Sequence, residues 1–555
     1  MVRATFSGFN TALSALQANQ KRLDITGQNL SNMNTAGYTR QQLEASSLNY
    51  TNPVSHYSNG NETAVGFGVS MDRVSQIRDP YLDIQYRSQS ADCSYTNRLQ
   101  TALNSLSKVL DETTISGIRK AFDDVQSTLT SMQDPAKVSD PIYESELRTK
   151  MQSVCNLFNQ ASRQITQAEQ NEFQRLTGEG SSEQGDVQKI NDILRQIGDL
   201  NVQIKRNQVA GHPSLELQDE RNLLLDELSG YIPVETRYYK DDAHSGNNAY
   251  DYDANGAVIG KKDWPDDLEV SMNYIDAQGK SQKLILVNGS DLGADGLTKN
   301  YGQLSVLNRD HQPAASVSDP ANISIKFEKA PSYQVNGQAA TDVYAELKGI
   351  HFEGGSLQAS LDMLQKKGTG NVINGSVDDV RGYQYYSEKL DQLADTFAKS
   401  MNASNNGNNH KDQNLLSNST DDSTNGITAG NIGISKGWTS GTIHISTDGT
   451  NRTDTILDMI AAMKDTKKLN GKTFADYMNN LSTQLASDSS SNQTALKTGT
   501  TVLNSIQDSR DSLSGVSLDE EATNMMAYVS AYNAASRLMT ALDEVLNTLI
   551  SNTGA

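Results

Sequence analysis

The sequence predicts a mainly α protein with a β-rich insertion, arranged as an elongated chain of several domains. Apolar residues recur at helical spacing at both chain ends and through most of the interior, and this spacing disappears from about residue 231 to 351. The 555 residues exceed what one hydrophobic core organises. We therefore expect terminal helices that pair as a coiled coil, a discontinuous bundle of long helices, and a looped-out β-rich domain.

The two chain ends carry the strongest helical patterns. Near the N-terminus, large apolar residues follow one another at steps of three and four, with interruptions at Gln20 and Gly27. The N-terminal stripe consists of Phe6, Phe9, Leu13, Leu16, Leu23 and Leu30. The C-terminal stripe consists of Met525, Tyr528, Tyr532, Ala535, Met539, Leu542, Leu546 and Leu549. Because one helix cannot bury its own apolar face, each stripe needs a partner.

Opposite charges favour pairing of the two ends with each other. Residues 1–41 contain four basic residues and one acidic residue, a net charge of +3. Residues 518–555 contain five acidic residues and one basic residue, a net charge of −4. Exposed ion pairs are individually weak, so two separate helices packed on different parts of one core remain an alternative.

Changes of pattern along the chain predict three domains. Residues 1–50 with 516–555 form a helical assembly region, which we expect to be disordered in the free monomer. Residues 51–230, 352–401 and 472–515 form the discontinuous helical bundle, which includes a helix from Pro80. Residues 231–351 with 402–471 form the β-rich outer domain, with strand-like runs bounded by turn residues. Thr442–Ile445 reads as one further strand of that domain.

The bulk composition excludes several classes of protein. The 47 basic and 67 acidic residues give a net charge of −20, which repels nucleic acid and anionic membranes. No apolar run is long enough to span a membrane. The first residues lack the pattern of a cleaved signal peptide, which alone would suggest a cytoplasmic protein. Cys93 and Cys155 are too few for a disulfide scaffold, and both a buried free pair and one disulfide remain open.

No motif for catalysis or cofactor binding stands out. The seven histidines are scattered, with no metal-binding pair and no catalytic triad signature. Asp251, Asp253 and Asn255 before Gly256 match the first half of a calcium loop, but position twelve is Lys262 instead of a glutamate. A β-hairpin turn explains the same residues. We therefore predict no enzyme activity, no cofactor and no metal site.

The turn after the N-terminal stripe carries the identifying pattern. Residues 29–41 read NLSNMNTAGYTRQ, in which Gly37 can adopt the left-handed conformation that ends a helix. This segment resembles the signature of the flagellar rod, hook and hook-associated protein family. The positions that match that signature are Asn29, Asn32, Thr35, Gly37, Tyr38, Arg40 and Gln41. Residues 516–522 and 531–537 are similar to its C-terminal signature, with a looser match.

Interior segments narrow the resemblance to the family member that joins the hook to the filament. The segments that carry it lie at 66–70, 78–83, 190–192, 197–201 and 219–229, and those at 354–357 and 390–394 fit it as well. The resemblance implies a ring of subunits in the axial tube, with the hook protein below and the second junction protein above. It also implies flagellar type III export without a cleaved signal peptide, and an export chaperone on the C-terminal helix. The protein would then be secreted to the extracellular flagellum.

Two alternatives remain beside this interpretation. One is another axial protein of the family: a hook subunit, a rod subunit or the second junction protein. The other is a secreted calcium-binding adhesin that uses the β-rich domain. Under the junction interpretation, the predicted assembly interface consists of Phe6, Phe9, Leu13, Leu16, Leu23, Leu30, Asn29, Asn32, Thr35, Gly37, Tyr38, Arg40, Met525, Tyr528, Tyr532, Met539, Leu542, Leu546 and Leu549.

Overall fold

A computed structural model gives the architecture of most of the chain. The described residues are 2–48, 68–110, 117–138, 140–178, 182–210, 212–240, 250–252, 258–261, 266–275, 280–289, 300–308, 323–328, 334–335, 338–339, 343–346, 351–373, 376–377, 379–407, 412–446 and 453–553. The prediction of a mainly α fold with a β-rich insertion is confirmed.

The two chain ends form one structural unit. Helix α1 (Val2–Asn32) packs against the last helix, α13 (Leu518–Thr553). A turn leads from α1 into strand β1 (Gln41–Ser47), which pairs antiparallel with β2 (Val69–Gln76). This two-stranded ribbon also packs on α1, because such a ribbon is marginal without a partner.

Helices, most of them long, form the body of the molecule. They are α2 (Pro80–Leu110), α3 (Ile118–Ser131), α4 (Pro135–Val138), α5 (Pro141–Thr177), α6 (Asp186–Val209), α7 (Leu215–Tyr231), α8 (Gly355–Gln365), α9 (Tyr383–Asn406) and α12 (Phe474–Ser514). Proline at the first position starts α2 and α5, and the Asp140 carboxylate caps α5 by accepting from the Ile142 amide at 2.9 Å. The longest contact runs between α2 and α12, far apart in sequence.

An aromatic cluster holds distant parts of this body together. The Phe122 ring of α3 lies 5.1 Å from the Phe397 ring of α9 and 5.5 Å from the Phe474 ring of α12, measured between centroids. The Phe158 ring of α5 lies 5.9 Å from that of Phe122. All four side chains are at most 2% exposed, so one continuous core joins the segments before and after the β-rich insertion.

The β-rich region follows α7. Its strands are β3 (Glu235–Lys240), β4 (Tyr250–Tyr252), β5 (Val258–Lys261), β6 (Asp266–Ile275), β7 (Ser281–Asn288), β8 (Gln303–Asn308), β9 (Ile323–Glu328), β10 (Gln334–Val335), β11 (Gln338–Ala339), β12 (Val343–Glu346) and β13 (His351–Phe352). One sheet has β6 between β3, β13 and β7, and another has the order β12-β9-β8. Asn191 and Asn201 of α6 bond to backbone carbonyls of Leu304 and Leu268, which anchors the sheets to the helices.

The hairpin interpretation of the possible calcium loop agrees with the strand pairing. Strands β4 and β5 pair antiparallel, with Tyr250 opposite Lys261. The turn between them, residues 253–257, lies outside the described residues. Within the described part of the chain, no group of three or more His, Cys, Asp or Glu could hold a metal ion.

The prediction that residues 402–471 belong to the β-rich domain is wrong. This segment forms β16 (Leu416–Asn418), β17 (Ile432–Ile434), α10 (Lys436–Ser440), α11 (Asp454–Lys464) and a 3₁₀ turn (Lys467–Leu469), and it packs on α3, α5 and α9. The buried Trp438 donates its indole N–H to Glu144 of α5 at 2.8 Å. Apolar residues in this polar-looking stretch, such as Leu416, enter the helical core and fix its position.

The structure also answers two smaller questions from the sequence, which are one predicted strand and the state of the two cysteines. The strand predicted at Thr442–Ile445 does not form, and these residues are a turn followed by irregular backbone. Short pairs of residues, β14 (Val372–Ile373) and β15 (Ser376–Val377), form a hairpin between α8 and α9. Cys93 and Cys155 are both buried and free.

Candidate assembly interface

Helices α1 and α13 lie antiparallel in a constant register. A Cβ added at Gly8 would lie 3.4 Å from a Leu542 methyl carbon, and the Arg22 guanidinium lies 5.6 Å from the Tyr528 ring centroid. Asn29 donates to the Glu521 carboxylate at 3.3 Å. Equal steps along the two helices separate these contacts, in opposite chain directions. The contact therefore runs nearly the whole length of α1 without a shift.

The face that α1 turns toward α13 consists of small and polar residues. It recurs at alternating steps of four and three, the spacing of a coiled-coil seam. Its members are Gly8, Ala12, Ala15, Asn19, Arg22, Thr26 and Asn29. Ala12 is 1% exposed and Asn29 is also 1% exposed. Small side chains allow the two helices to approach closely, so α1 contributes little apolar area to this contact.

On α13, the predicted stripe faces α1. Met525, Tyr528, Tyr532, Met539, Leu542 and Leu546 are all half-buried, and Ala535 is buried. Leu549, at the end of the stripe, is 55% exposed. The large residues of this pair therefore come from α13, and they pack onto the small residues of α1.

The predicted stripe on α1 occupies a different face. Phe9, Leu16, Leu23 and Leu30 are half-buried, and Leu13 is 45% exposed. The side chain of Phe6 lies outside the described residues. Each stripe residue follows by one position a residue that faces α13, so the stripe lies about 100° around the helix. Bulky apolar residues dominate the sequence pattern of α1. The residues that face α13 are small or polar, and each of them precedes a stripe residue by one position in the sequence.

The turn after α1 is organised around the Asn29 side chain. Its amide group donates to the Gln41 carbonyl and its oxygen accepts from the Gln41 N–H, both at 3.0 Å. The Tyr38 hydroxyl donates to the same oxygen at 2.9 Å. Burial, helped by nearby carboxylates, raises the pKa of Tyr38 to about 12, so this hydroxyl keeps its proton. The Asn29 side chain thus links the end of α1 to the start of β1 through hydrogen bonds.

The other predicted turn residues shape the backbone. The Thr35 N–H donates to the Asn32 carbonyl at 2.9 Å, and its hydroxyl donates to the Asn32 side chain at 3.3 Å. Gly37 has a φ of +77°, which favours glycine. Thr35 and Gly37 are exposed, so their role within the chain is to direct it from α1 toward β1.

Arg40 joins the turn to the start of α13. Its guanidinium contacts Glu521 at 2.8 Å and Glu520 at 2.7 Å. Its backbone N–H donates to the Ser514 carbonyl at 2.9 Å, and its carbonyl accepts from the Ile77 N–H at 2.8 Å. Three chain segments that connect the terminal unit to the body therefore meet at one residue.

Asp219 of α7 ties the same turn to the helical body. Its carboxylate accepts from the Thr39 N–H at 3.0 Å and from the Thr39 hydroxyl at 2.6 Å. The Arg78 guanidinium lies 3.9 Å away. Burial raises the pKa of Asp219 to about 6, although the Thr39 bonds and Arg78 act in the opposite direction.

A chain of alternating charges continues from Arg78 into the body. Arg78 pairs with Asp83 through two nitrogens, and Asp83 also contacts Arg510 of α12 at 3.0 Å. Arg510 contacts Asp226 at 2.7 Å, and Asp226 contacts Arg87 at 2.8 Å. We call this set of charged residues the junction network. Its members are Glu520, Glu521, Arg40, Asp219, Arg78, Asp83, Arg510, Asp226 and Arg87.

Most residues of the junction network cannot be identified from the sequence. Of its members, only Arg40 is among the predicted interface residues. The others are Arg78, which precedes α2, and residues of α2, α7, α12 and α13, and no local spacing brings these segments together. The one available signal is that charged residues such as Asp83 and Asp219 fall inside the segments that resemble the family.

The ribbon covers one side of α1. The Val69 N–H donates to the Ser14 hydroxyl at 3.2 Å, and a Cβ added at Gly68 would lie 3.3 Å from the Thr11 Cα and closer still to Ser14. Gly68 also has a φ of +112°, so glycine is required here for both reasons. Thr11 and Ser14 each precede by one position a residue that faces α13, so the ribbon and the apolar stripe lie on different sides of α1.

Family models match three parts of the chain. The model described as flagellar hook-associated protein FlgK helical domain matches residues 103–262. The model for flagella basal body rod protein matches residues 9–39, and the model for flagellar basal body rod FlgEFG protein C-terminal matches residues 509–552. The two terminal matches cover most of α1 and α13.

Among the described residues, no helix is long and apolar enough to cross a membrane.

Characterised relatives extend the similarity to the whole chain. Flagellar hook-associated protein 1 of Bacillus subtilis is 29% identical over 568 aligned residues, which cover 99% of each chain. Flagellar hook-associated protein 1 of Escherichia coli is 28% identical over 41% of this chain and 39% of its own. The flagellar hook junction protein FlgK from Burkholderia pseudomallei, a solved structure, aligns over 60% of this chain and 44% of its own, with 18% identity and a TM-score of 0.38.

Proposed function

We propose that this chain, which is similar to flagellar hook-associated protein 1 over its full length, is a structural subunit of the bacterial flagellum that forms the junction ring between hook and filament. The observation that carries this proposal is the terminal unit. The segments that match the rod-protein models are the segments that pair as α1 and α13. A ring subunit needs such a unit to enter the axial tube, while its body faces outward.

The chain divides by role under this proposal. Residues 1–50 with 516–555 are the assembly region, and the helical bundle comprises 51–230, 352–401 and 472–515. Residues 231–351 form the outer β-rich domain. The junction network lies where the chain passes between the terminal unit and the body, near residues 78 and 515. The network would hold the body at a fixed angle to the tube wall.

The partners follow from the place in the tube. The chain assembles with copies of itself and with other flagellar proteins, which places it in the extracellular flagellum. The finer assignments in this proposal are the hook protein below, the second junction protein above, and an export chaperone on α13 before assembly. Export by the flagellar type III system requires an unfolded chain, and terminal helices whose large apolar residues are only half-buried suit that passage.

The predicted interface residues divide into two groups under this proposal. Asn29, Asn32, Thr35, Gly37, Tyr38 and Arg40 orient the terminal unit within one subunit. The apolar residues of α1 and α13 supply contacts within and between subunits. No role in catalysis is assigned to any of these residues.

Deletion of the gene tests the proposal directly. We expect cells with hooks but without filaments, and filament protein released into the medium. Reintroducing the intact gene should restore filaments, which controls for effects on neighbouring genes. Normal filaments in the deletion strain would contradict the proposal.

A further inference from the structure

An open groove of about 450 Å³ lies between helices α2 and α5 of the body, and the start of α9 also lines it. The groove follows α2 from Arg98 to Lys108, ten residues that correspond to about 15 Å of helix. Its volume is in the range of sites that bind small molecules. None of its lining residues belongs to the terminal unit or to the junction network.

A buried arginine of the groove keeps one nitrogen available for a ligand. The Arg98 side chain is 7% exposed. Its Nε donates to Glu172 at 2.8 Å and to the Ser360 hydroxyl at 3.3 Å, and its Nη2 donates to the second oxygen of Glu172. Within the described residues, Nη1 has no acceptor. Because buried polar groups are rarely left unpaired, Nη1 is a donor to a molecule in the groove.

A buried tyrosine of the groove has the same property. Tyr383, the first residue of α9, is 2% exposed, and its hydroxyl makes no hydrogen bond in the part of the chain that the structure describes. Burial, helped by Glu172 and opposed by Arg98, raises the pKa of Tyr383 well above its ordinary value, so the hydroxyl keeps its proton. Two donors therefore lie close together in the groove, both on buried side chains.

The sides of the groove carry groups that both donate and accept hydrogen bonds. Helix α2 supplies the hydroxyls of Thr101 and Ser105, and α5 supplies the amides of Gln164, Gln167 and Asn171. Gln167 donates to the Asn171 oxygen at 2.9 Å, which leaves the oxygen of the first amide and the nitrogen of the second for a ligand. Such walls suit a ligand that carries several hydroxyl groups.

The charge of the groove favours an anion. Three basic residues and one acidic residue line it, a net charge of +2, whereas the whole chain carries −20. The basic residues are Arg98, Lys108 and Arg175, and the acidic residue is Glu172. Arg175 also contacts Asp186 at 3.5 Å, but Lys108 has no ion pair with any described residue. A basic groove in an acidic protein attracts anions locally.

We infer that this groove binds a sugar acid, that is, a carboxylate that also carries several hydroxyl groups. The carboxylate accepts from Arg98 Nη1 and from the Tyr383 hydroxyl, and the hydroxyls bond to the amides of α5. A simple carboxylate leaves those amides unused, and a neutral sugar leaves the buried guanidinium without an anion. The inference does not rest on the proposed function, since the groove uses none of the assembly residues.

Equilibrium dialysis of the purified full chain against glucuronate at low salt tests this site. We expect one saturable site, and we expect glucose and acetate each to bind at least about tenfold more weakly. Oligogalacturonate then identifies the source of the ligand. Tighter binding of the oligomer indicates an acidic polysaccharide, whereas equal binding indicates a free sugar acid, and both results support the site.

Two tyrosine variants locate the binding. Tyr383→Phe removes a hydroxyl that bonds to nothing in the folded chain, so the urea midpoint should stay unchanged while glucuronate binds about tenfold more weakly. Tyr386→Phe is the matched control. Tyr386 lies about one turn further along α9, its buried hydroxyl is also without a hydrogen bond, and it does not line the groove. This control should bind glucuronate like the unsubstituted chain.

Three results would overturn the inference. The first is the absence of saturable glucuronate binding at millimolar concentrations. The second is binding of acetate or glucose as tight as that of glucuronate, which would remove the need for a carboxylate and hydroxyls on one molecule. The third is an equal effect of the two tyrosine variants, which would place the binding outside the groove.

Discussion

The helical body and the terminal unit are stabilised in different ways. In the body, fully buried side chains such as Phe122, Phe397 and Trp438 belong to one apolar core that joins segments hundreds of residues apart. In the terminal unit, α1 meets α13 through small and polar residues, and its large apolar residues stay half-exposed. The body buries the large apolar residues of its core completely, whereas the terminal unit leaves those of α1 only half-buried or exposed.

Truncation of the aromatic cluster should have the largest effect on the body. We expect Phe397→Ala to lower the free energy of unfolding by about 4 kcal/mol, because it removes a buried ring that contacts both Phe122 and Phe474. Urea unfolding followed by tryptophan fluorescence, to which the buried Trp438 contributes, measures this loss. A loss below about 1 kcal/mol would show that the body does not depend on this cluster.

Loss of Arg40 should detach the terminal unit without weakening the body. Arg40→Ala leaves Glu521, which is 2% exposed, without its cationic partner, so we expect a local cost of about 3 kcal/mol. Hydrogen exchange in the first turns of α13 should accelerate about 100-fold, while amides of α5 and α9 keep their rates.

A matched variant separates this effect from a general loss of charge. Arg73 of the ribbon pairs with Glu44 at 2.7 Å, but both side chains are well exposed. Arg73→Ala should therefore change exchange in α13 by less than about 1 kcal/mol. Equal effects of the two substitutions would contradict the special position of Arg40.

Asp219 should make the junction network sensitive to pH. Its pKa of about 6 in the folded chain exceeds the ordinary value of 3.8, so the folded state binds the proton more tightly than the unfolded state. The stabilisation from this group is fully present below pH 3.8 and is lost as the pH rises through 6. We expect the intact chain to lose about 2 kcal/mol between pH 4 and pH 7 relative to Asp219→Asn.

Urea midpoints of the two chains at matched pH values measure this difference. Asparagine does not titrate and can still accept one hydrogen bond from Thr39, so it serves as the reference. A constant difference across this pH range would show that Asp219 is already charged at pH 4.

Two adjacent residues of α1 should give the smallest and most selective effects. Ala12 faces α13 and is 1% exposed, so Ala12→Leu overpacks the seam and should cost about 1 to 2 kcal/mol in α1 and α13. Leu13 is 45% exposed, so Leu13→Gln should change the single subunit by less than about 0.5 kcal/mol. Hydrogen exchange across both helices distinguishes them, and a larger effect at Leu13 would reverse the assignment of the two faces.

The sequence predicts the body well because helices with periodic apolar faces need no distant information. The boundaries at Pro80 and Pro141 follow from capping residues beside the helix. The same reasoning identifies the correct face of α13, where large residues form the seam. For α1, it indicates a face other than the one that packs against α13. Small residues form that contact, whereas the prediction relied on the spacing of large apolar residues.

Other features depend on contacts between distant segments. Nothing near Asp219 in the sequence indicates that its carboxylate accepts from Thr39, and nothing near Arg510 indicates Asp83 and Asp226. The polar stretch after α9 reads as a loop of the β-rich domain, yet Leu416 and Trp438 enter the helical core. Local composition does not show which core receives a few apolar residues.

Hydrogen exchange on the free chain and on isolated flagella tests the central contrast most directly. We predict strong protection in the body in both states, whereas residues 1–40 and 520–555 should be only weakly protected in the free chain and strongly protected after assembly, when neighbouring copies cover the half-buried apolar residues of both helices. Protection of these terminal residues in the free chain at the level of α5 and α9 would contradict the account.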